Sequence, residues 1–468
     1  MNSINEKKLE TKLKNQIRGN PNEANNYFRL AVLLDKSNRS EDVYNLLEKA
    51  RSLDPLNYEI YNFLGSISKK KGDIQASINL YKKAISINPK YYIAIYNLAN
   101  LYKQLNILNK AISLYKNVIS INNKHYKSFY NLANLYKDTS DFDLAINYYK
   151  ETIKIKPDFI SAYNNLGTVY QELGLLDEAQ LIYKKALQIN FKDSNILNNL
   201  ANIYKYLGDF GTSMKLYRKS ISSNSKHIES IFNLGILKLL LNDYKNGLEL
   251  YEKRLICNEI YSLIVYPDLE KLEAKPKIGE KILIVSEQGL GDTVQFMRYV
   301  FYLKDKGFDI YFCTQSKLFT LIKSSNLNIP LVLTSEVNYI KECKWIPLLS
   351  LPRLLDVDPN NPIINKPYIF PNYKLIQKWK NIFSMEQKPI IGINWQGNPT
   401  VEKQSLRGRS MPLEYFAPIA KAMNAKFVSL QKGYGSEQLD NCSFSEAFID
   451  SQVMIDQTWD FDETAAII

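Results

Sequence analysis

A leucine recurs every 34 residues through the first half of the chain, and this spacing constrains the fold more than any other feature. The series consists of Leu30, Leu64, Leu98, Leu132, Leu166, Leu200 and Leu234. Each leucine is followed by Ala or Gly, and a second, mostly small residue follows twelve positions later, from Val43 to Gly247. Small residues at both positions allow two antiparallel helices to approach closely. A self-similar period of 34 residues therefore predicts an α-solenoid, in which stacked helix pairs bury a core that no single pair could bury alone.

Further positions keep the same phase. A bulky residue comes four places after the second small one, first Leu47 and then a tyrosine in each repeat from Tyr81 to Tyr251. Pro55, Pro89 and Pro157 lie where a closing turn must end a helix. In these features residues 24–261 resemble seven tetratricopeptide (TPR) repeats, with residues 1–23 as an N-terminal cap. The last repeat departs from the pattern, because Arg254 occupies a usually small position, as expected of an end repeat that meets a different neighbour.

Composition narrows the class of protein. The first residues, MNSINEKKLE, are polar, and no apolar run approaches the about 18 residues of a membrane helix, so we expect neither a signal peptide nor a membrane span. The four cysteines lack CxxC spacing and the chain has 2 histidines. This usage predicts reduced thiols in a cytoplasmic protein and no metal site.

The net charge of +12 belongs to the first half of the chain. Residues 1–250 hold 35 Lys and Arg against 23 Asp and Glu, whereas residues 251–468 hold 25 of each. The excess could attract acidic protein segments or an anionic surface. The alternative is a general compositional bias toward Lys, Asn, Ile and Tyr. No nucleic-acid-binding motif accompanies the charge, so we expect no nucleic-acid partner.

Asparagine also recurs in phase, directly before the phased leucine. The row consists of Asn97, Asn131, Asn165, Asn199 and Asn233, and Asn100, Asn134 and Asn202 follow three residues later, with Thr168 breaking that second series. Residues three apart share a helix face, so stacked repeats would align these amides. An amide offers a donor and an acceptor, which suits a polypeptide backbone bound without regard to its sequence. The row resembles the asparagine ladder of the protein O-linked N-acetylglucosamine transferases. The structural alternative is that these amides are solvated or bind a neighbouring helix.

The pattern changes after residue 261. Residues 262–280 predict a linker, and Ile282–Val285 then predicts a buried parallel strand followed by a glycine turn, Gly289-Leu290-Gly291-Asp292. Helical spacing from Thr293 to Lys306 and a second strand at Ile310–Cys313 complete a Rossmann-type unit. Dinucleotide binding is disfavoured, because Val294 stands where a third small residue is needed and no acidic residue ends the second strand.

A second family fits these residues better. Glu287-Gln288-Gly289-Leu290-Gly291-Asp292, a strand at Pro389–Trp395, the segment Arg407–Leu413 and a strand at Lys426–Leu430 resemble the heptosyltransferase-like domain of bacterial TPR proteins. The resemblance implies a GT-B glycosyltransferase fold of two Rossmann-like halves, here residues 281–385 and 386–468, with the second half incomplete. It implies a nucleotide-sugar donor as substrate and no cofactor. It places donor-binding groups at Gly289, Gly291, Arg409, Ser410, Gln431 and Lys432.

Sugar transfer needs a base for the acceptor hydroxyl and positive charge beside the departing phosphates. Both histidines lie in the repeats, so a carboxylate would serve, and Asp292 matches the proposed base of the resembled family, with Glu287 as a weaker candidate. The alternative role for Asp292 is to cap its helix. Arg409 and Lys432 are the candidate phosphate contacts, and the alternative for each is a solvated loop cation.

The chain ends at FDETAAII, before the donor-contacting segment that the resembled family would place next, and we expect a truncated chain. Two functions remain open. One is a glycosyltransferase whose TPR repeats bind a polypeptide acceptor. The other is a non-catalytic TPR scaffold that binds other proteins beside an inert transferase-like domain.

Overall fold

The computed structural model describes residues 2–35, 40–257, 263–287, 289–325, 328–360, 362–363, 366–397, 410–458 and 460–468. The chain divides into two compact units, Met1–His227 and Ile228–Ile468, which we call the helical unit and the α/β unit. Within the described residues, no helix combines the length and the apolar character needed to cross a membrane.

The helical unit starts with the polar helix Asn2–Gly19 and continues as helix pairs joined by short turns. The first helices of the pairs are Ala24–Asp35, Tyr58–Lys70, Tyr92–Gln104, Tyr126–Asp138, Ile160–Glu172 and Ser194–Tyr206. The second helices are Ser40–Leu53, Ile74–Ile87, Leu108–Ile121, Phe142–Ile155, Leu176–Ile189 and Phe210–Ser223. The predicted solenoid of helix pairs is thus confirmed.

The phased small residues lie where paired helices touch. A Cβ atom added to Gly65 would lie 2.8 Å from the Tyr81 ring, and Gly167 faces the ring of Tyr183 in the same way. The tyrosine side chains are buried in the contact. At two of the pairs the small residue also forms a hydrogen bond: Ser77 Oγ donates to Gly65 O at 2.7 Å, and Ser213 Oγ donates to Ala201 O at 2.8 Å. The 34-residue period therefore reflects a contact between a small residue and a ring that recurs from one repeat to the next.

A left-handed residue ends the first helix in each of five successive pairs. These residues are Gly72, Asn106, Ser140, Gly174 and Gly208, with φ between 57° at Asn106 and 84° at Gly72. Glycine adopts this backbone conformation without the Cβ clash that other L-residues meet. The turns at Asn106 and Ser140 therefore carry backbone strain that the turns at the glycines do not.

The α/β unit opens with helices Ile228–Leu240, Tyr244–Tyr251 and Arg254–Cys257. A parallel sheet follows, made of β1 (Lys281–Val285), β2 (Asp309–Cys313), β3 (Leu331–Val332) and β4 (Lys344–Pro347) in the order β3-β2-β1-β4. Helices Leu290–Phe296 and Arg298–Asp305 connect β1 to β2. The predicted helix from Thr293 to Lys306 thus begins earlier, because Gly289 takes the N-cap position, and it is divided at Met297.

A second, two-stranded parallel sheet pairs β5 (Ile390–Ile393) with β6 (Lys426–Ser429). Among the described residues, this unit also contains the α-helices Phe319–Ser324, Leu351–Leu354, Tyr373–Phe383, Ala417–Ala422, Gln452–Asp456 and Asp462–Ile467. In the last of these, Ala465 packs with the core of the four-stranded sheet, while Ala466 and Ile467 pack near Trp379.

Part of the predicted linker pairs with the first sheet. The backbone N–H of Ile264 donates to Ser286 O at 3.2 Å, and that of Leu272 donates to Trp345 O at 2.8 Å. Leu263 and Leu272 are both buried. These contacts attach the segment to the end of β1 and to β4, although its two prolines and mixed charge predicted a linker.

Candidate functional site

The first helices of the helical unit share one face that lies opposite the core. In helix Tyr92–Gln104, Leu98 and Leu101 are buried in the core, whereas Asn97, Asn100 and Lys103 are only half-buried. At 3.6 residues per turn, Asn100 and Lys103 stand one above the other on the side away from Leu98. We call this surface the first-helix face and define it by Ser66, Lys69, Asn97, Asn100, Lys103, Asn131, Asn134, Lys137, Asn165, Asn199, Asn202 and Lys205.

The predicted asparagine row lies on this face, and its amide nitrogens bond to the preceding repeat. Asn131 Nδ2 donates to Asn100 Oδ1 at 3.1 Å and to Tyr96 Oη at 3.2 Å. Asn165 Nδ2 repeats the pattern with Asn134 Oδ1 at 2.9 Å and Tyr130 Oη at 3.0 Å. The structural alternative for these amides, a bond to a neighbouring helix, is therefore realised.

Two further members of the row bond in a related way. Asn97 Nδ2 donates to Asn62 Oδ1 and Asn199 Nδ2 donates to Asn164 Oδ1, both at 2.9 Å. Asn233 lies on helix Ile228–Leu240 of the α/β unit and is half-buried.

Buried tyrosines complete each amide network from the core side. Tyr115 Oη donates to Asn100 Oδ1 and Tyr149 Oη donates to Asn134 Oδ1, both at 2.6 Å. Burial raises the pKa of both phenols, so they remain donors at neutral pH. One carbonyl oxygen thus receives a donor from its own repeat and a donor from the next.

These bonds decide what the row can offer to a ligand. Asn131 and Asn165 each use both amide N–H groups on the preceding repeat. Asn165 Oδ1 also accepts from Asn164 Nδ2 at 3.3 Å. A carbonyl oxygen has two lone pairs, so acceptor capacity remains at Asn131 and Asn165, and it suits the N–H groups of an extended backbone. Peptide binding by the row stays a prediction, now with the asparagines as acceptors.

A row of lysines on the same face was missed at the sequence level. Lys69, Lys103, Lys137 and Lys205 occupy one position of the repeat, each three residues after Ser66, Asn100, Asn134 or Asn202. All four are half-buried at the end of a first helix. The 34-residue spacing that identified the asparagines would have identified these lysines too.

In the α/β unit, the residues after β1 are bound into a buried network. Arg254 Nη2 donates to Glu287 Oε1 at 2.9 Å and to Ser350 Oγ at 2.8 Å. Arg254 has no exposed surface, and Glu287 is 3% exposed. Burial raises the pKa of the Glu287 carboxyl, with Arg254 opposing the rise. Glu287 is thus committed to an internal ion pair, which explains why a charged residue replaces the usual small one at position 254.

The loop that follows presents Asp292 to solvent. Gly289 is the N-cap of helix Leu290–Phe296, and Asp292 is exposed in its first turn. A Cβ atom on Gly289 would collide with the Asp292 carboxylate, so the glycine allows that side chain to fold back over the loop. At Gly291 a Cβ atom would meet open space. The predicted base and Gly289 are therefore brought together.

Gln315 holds this loop from the neighbouring strand end. Its Nε2 donates to Glu287 O at 2.6 Å, and its Oε1 accepts from Thr293 Oγ1 at 3.1 Å. Gln315 follows β2, the strand after which the sequence has no acidic residue, and its side-chain amide fixes the backbone beside Asp292.

The other predicted donor-binding residues lie at the end of the second sheet. Gln431 is buried after β6, where its Oε1 accepts from Gln396 N at 3.1 Å and its Nε2 donates to Tyr434 O at 2.7 Å. Ser410 Oγ accepts from Gly397 N at 2.8 Å. These two side chains support the local backbone.

Lys432 faces the carboxyl-terminal segment. Its Nζ donates to Asp460 O at 2.8 Å, and burial lowers the pKa of its ammonium against the opposing effect of Asp460. Arg409 lies outside the described residues. Asp292 and Lys432 thus follow strands of two different sheets, β1 and β6.

Comparisons with known proteins find matches in the N-terminal half of the chain. Profiles described as TPR repeat match residues 65–106 and 133–174, and profiles described as tetratricopeptide repeat match residues 158–226 and 92–125. No curated protein matches the chain.

Several solved structures are similar to the helical half. A tetratricopeptide repeat protein from Parabacteroides merdae is 19% identical, with 49% of this chain and 91% of that one covered and a TM-score of 0.41. YrrB, described as a TPR protein with an unusual peptide-binding site, is 16% identical, with 40% and 95% covered and a TM-score of 0.35. The pilF protein of Pseudomonas aeruginosa is 15% identical, with 43% and 91% covered and a TM-score of 0.38. The profile matches, together with the 34-residue period, show that the N-terminal half of this chain is built of tetratricopeptide repeats.

Proposed function

We propose that the helical unit binds polypeptide segments in an extended conformation along the first-helix face. The observation that carries this proposal is the repetition of the same polar groups on successive first helices. Asn97, Asn131, Asn165 and Asn199 recur at one half-buried position, where each amide nitrogen donates to the preceding repeat and each carbonyl oxygen keeps acceptor capacity.

The repeat spacing matches the reach of an extended chain. Packed helices lie about 8–10 Å apart, and an extended chain rises about 3.3 Å per residue. One repeat therefore corresponds to about three ligand residues. A ligand of about 15 residues would meet five repeats in turn, and backbone recognition at each would make binding tolerant of sequence.

Site-specific photo-crosslinking tests this proposal. A benzoylphenylalanine in place of Ile93, which is 40% exposed on a first helix, is compared with one in place of Leu181, which is 54% exposed on a second helix. The probes are fluorescein-labelled peptides of about 15 residues with acidic, neutral or basic composition, added to the full chain. We expect cross-linking of at least one probe from position 93 and little from position 181. Equal cross-linking from both positions, or none from position 93, would reject binding along the first-helix face.

A second candidate function is favoured by the loop after β1. Asp292 is solvent-exposed beside the carboxyl end of a parallel strand, which is where α/β proteins bind their ligands. We propose transfer of a sugar from a nucleotide sugar to a hydroxyl group of the bound polypeptide. Asp292 would take the acceptor proton as the new C–O bond forms and the bond from the sugar to the donor phosphate breaks. Cationic side chains, with Lys432 and Arg409 as candidates, would offset the charge left on the nucleotide.

Nucleotide-sugar hydrolysis and transfer by the full chain test this second candidate. We expect Asp292→Asn to abolish activity, and Asp305→Asn, at the end of helix Arg298–Asp305, to leave it unchanged. Absence of nucleotide-sugar binding by the unmodified chain would leave protein binding as the function. That outcome corresponds to the scaffold alternative.

A further inference from the structure

Two rows of cations run along the helical unit, one on each set of helices. The first-helix row is Lys69, Lys103, Lys137 and Lys205. The second-helix row is Lys82, Lys116, Lys150, Lys184 and Arg218, again spaced by 34 residues. Both rows are positively charged and follow the 34-residue period, with four cations in the first and five in the second, so their surroundings decide whether either is built to bind something.

The lysines of the first-helix row have little to neutralise them. Within the described residues, Lys69, Lys103 and Lys205 form no ion pair, and Lys137 is 3.8 Å from the adjacent Asp138. All four are half-buried. Burial lowers the pKa of the Lys205 ammonium, as expected for a cation that loses water without gaining an anion. The helix dipole favours a cation in the last turn of each helix. This effect explains why a lysine is accommodated at the position, but it does not explain why the lysine is partly buried.

The second-helix row has different surroundings. All of its members are exposed, so water screens their charges. Lys116 lies over the Tyr136 ring, and Lys184 lies over the Tyr204 ring and donates to Gln180 Oε1 at 2.9 Å. Lys205 of the first-helix row has a comparable contact, with its Nζ 5.7 Å from the centre of the Tyr206 ring. Exposure therefore distinguishes the two rows, and the second-helix row has the solvation of an ordinary basic surface.

We infer that the first-helix row selects acidic polypeptides, with carboxylates of the ligand pairing with Lys69, Lys103, Lys137 and Lys205 while its backbone runs along the asparagines. The inference rests on the proposed polypeptide binding and names its partner. Half-buried cations attract a carboxylate more strongly than exposed ones, because less water screens them. Each lysine follows an amide or hydroxyl residue of the first-helix face by three positions on the same helix, so one ligand could meet both kinds of group.

The row also predicts a pattern in the ligand. Since about three ligand residues span one repeat, carboxylates at every third position would meet successive lysines. Gln171 stands at the lysine position in helix Ile160–Glu172, with Glu172 beside it. A carboxylate opposite that helix would gain nothing, so the preferred ligand has a gap in its acidic spacing there.

Peptide titrations on the full chain test the inference. The probes are three fluorescein-labelled peptides of about 15 residues with Glu, Gln or Lys at every third position and otherwise identical sequences, followed by fluorescence anisotropy. One variant combines Lys103→Gln, Lys137→Gln and Lys205→Gln. The matched control combines Lys116→Gln, Lys150→Gln and Lys184→Gln, which removes the same charge from the second-helix row. Circular dichroism verifies that both variants keep their helices.

We expect the Glu peptide to bind more tightly than the Gln peptide, and the Lys peptide least tightly. The first-row variant should weaken Glu-peptide binding by about tenfold, and the second-row variant by less than about twofold. Added salt should narrow the difference between the Glu and Gln peptides. Equal affinity for the Glu and Gln peptides, or an equal loss in both variants, would overturn acidic selection while leaving polypeptide binding intact. Failure of all three peptides to bind would overturn both.

Discussion

The amide network around Asn134 should couple two neighbouring repeats energetically. Asn134 Oδ1 accepts from Tyr149 Oη at 2.6 Å and from Asn165 Nδ2 at 2.9 Å. Asn134→Ala removes both acceptor contacts and leaves the hydroxyl of Tyr149, whose residue has no exposed surface, without that partner. An unsatisfied buried polar group costs about 1–3 kcal/mol, and the lost contact with Asn165 adds to it, so we expect a loss of about 2–3 kcal/mol in unfolding free energy.

Tyr149→Phe keeps the ring and removes the hydroxyl. Asn134 Oδ1 still receives Asn165 Nδ2, so the expected loss is only about 1 kcal/mol. The double variant should lose less than the sum of the two single losses, by about 1 kcal/mol or more, because no orphaned hydroxyl remains.

Urea denaturation of the full chain, followed by far-ultraviolet circular dichroism, measures the unfolding free energies of the unmodified chain, the two single variants and the double variant. The comparison requires an unchanged m-value, because stacked repeats can unfold in parts. Tyr148→Phe, at the adjacent half-buried position, is the control and should change stability by less than about 0.5 kcal/mol. Strict additivity of Asn134→Ala and Tyr149→Phe would refute the network.

Three further perturbations have signs that the structure determines. Ser140→Gly should stabilise the chain by about 1 kcal/mol in urea denaturation, because φ is 62° at this residue. Gly174→Ala, at φ 76°, should destabilise the chain by a similar amount. A change of the same sign in both variants would contradict the assignment of strain to these turns. Arg254→Ala leaves Glu287 buried without its counter-ion and should cost about 3–5 kcal/mol in the thermal or urea stability of the α/β unit, so a loss below about 1 kcal/mol would contradict the buried pair. Burial raises the pKa of Tyr183 to about 12, so the stabilising contribution of this phenol is complete below the unfolded pKa of about 10 and is lost as the pH rises toward 12. Ultraviolet titration of the folded chain, measured by difference against Tyr183→Phe, checks this pKa. Ionisation of Tyr183 at its ordinary pKa would contradict the prediction.

The solenoid was predictable because its determinant is steric and periodic. Gly65 against Tyr81, and Gly167 against Tyr183, are contacts within one helix pair, and the residue types at both positions repeat in the sequence. The strands β1, β2, β5 and β6 were predictable because each contains a short run of apolar residues.

The bonding state of the asparagines was not predictable from their phase alone. Periodicity assigns a residue to a helix face, but it does not decide whether an amide bonds to solvent or to the next helix. The missing signal was the tyrosine directly before two of them, Tyr96 before Asn97 and Tyr130 before Asn131, which supplies the hydroxyl for the asparagine of the following repeat.

The internal ion pair of the α/β unit was also beyond sequence reasoning. Arg254 and Glu287 are 33 residues apart and belong to different patterns, one to a repeat and one to a strand end. Arg254 was conspicuous as a departure from its repeat, but its partner depends on how the first strand packs. A sequence-level role for Glu287 as a base was therefore based on its motif and not on its environment.

The central claim, that extended polypeptides lie along the first-helix face, is tested most directly by lysine footprinting of the unmodified chain. Acetylation rates are measured by mass spectrometry with and without the Glu and Gln peptides. We predict slower acetylation of Lys103, Lys137 and Lys205 when peptide is bound, and unchanged rates at Lys116 and Lys150 of the second-helix row. Protection of the second-helix lysines with no change in the first-helix row would contradict the account.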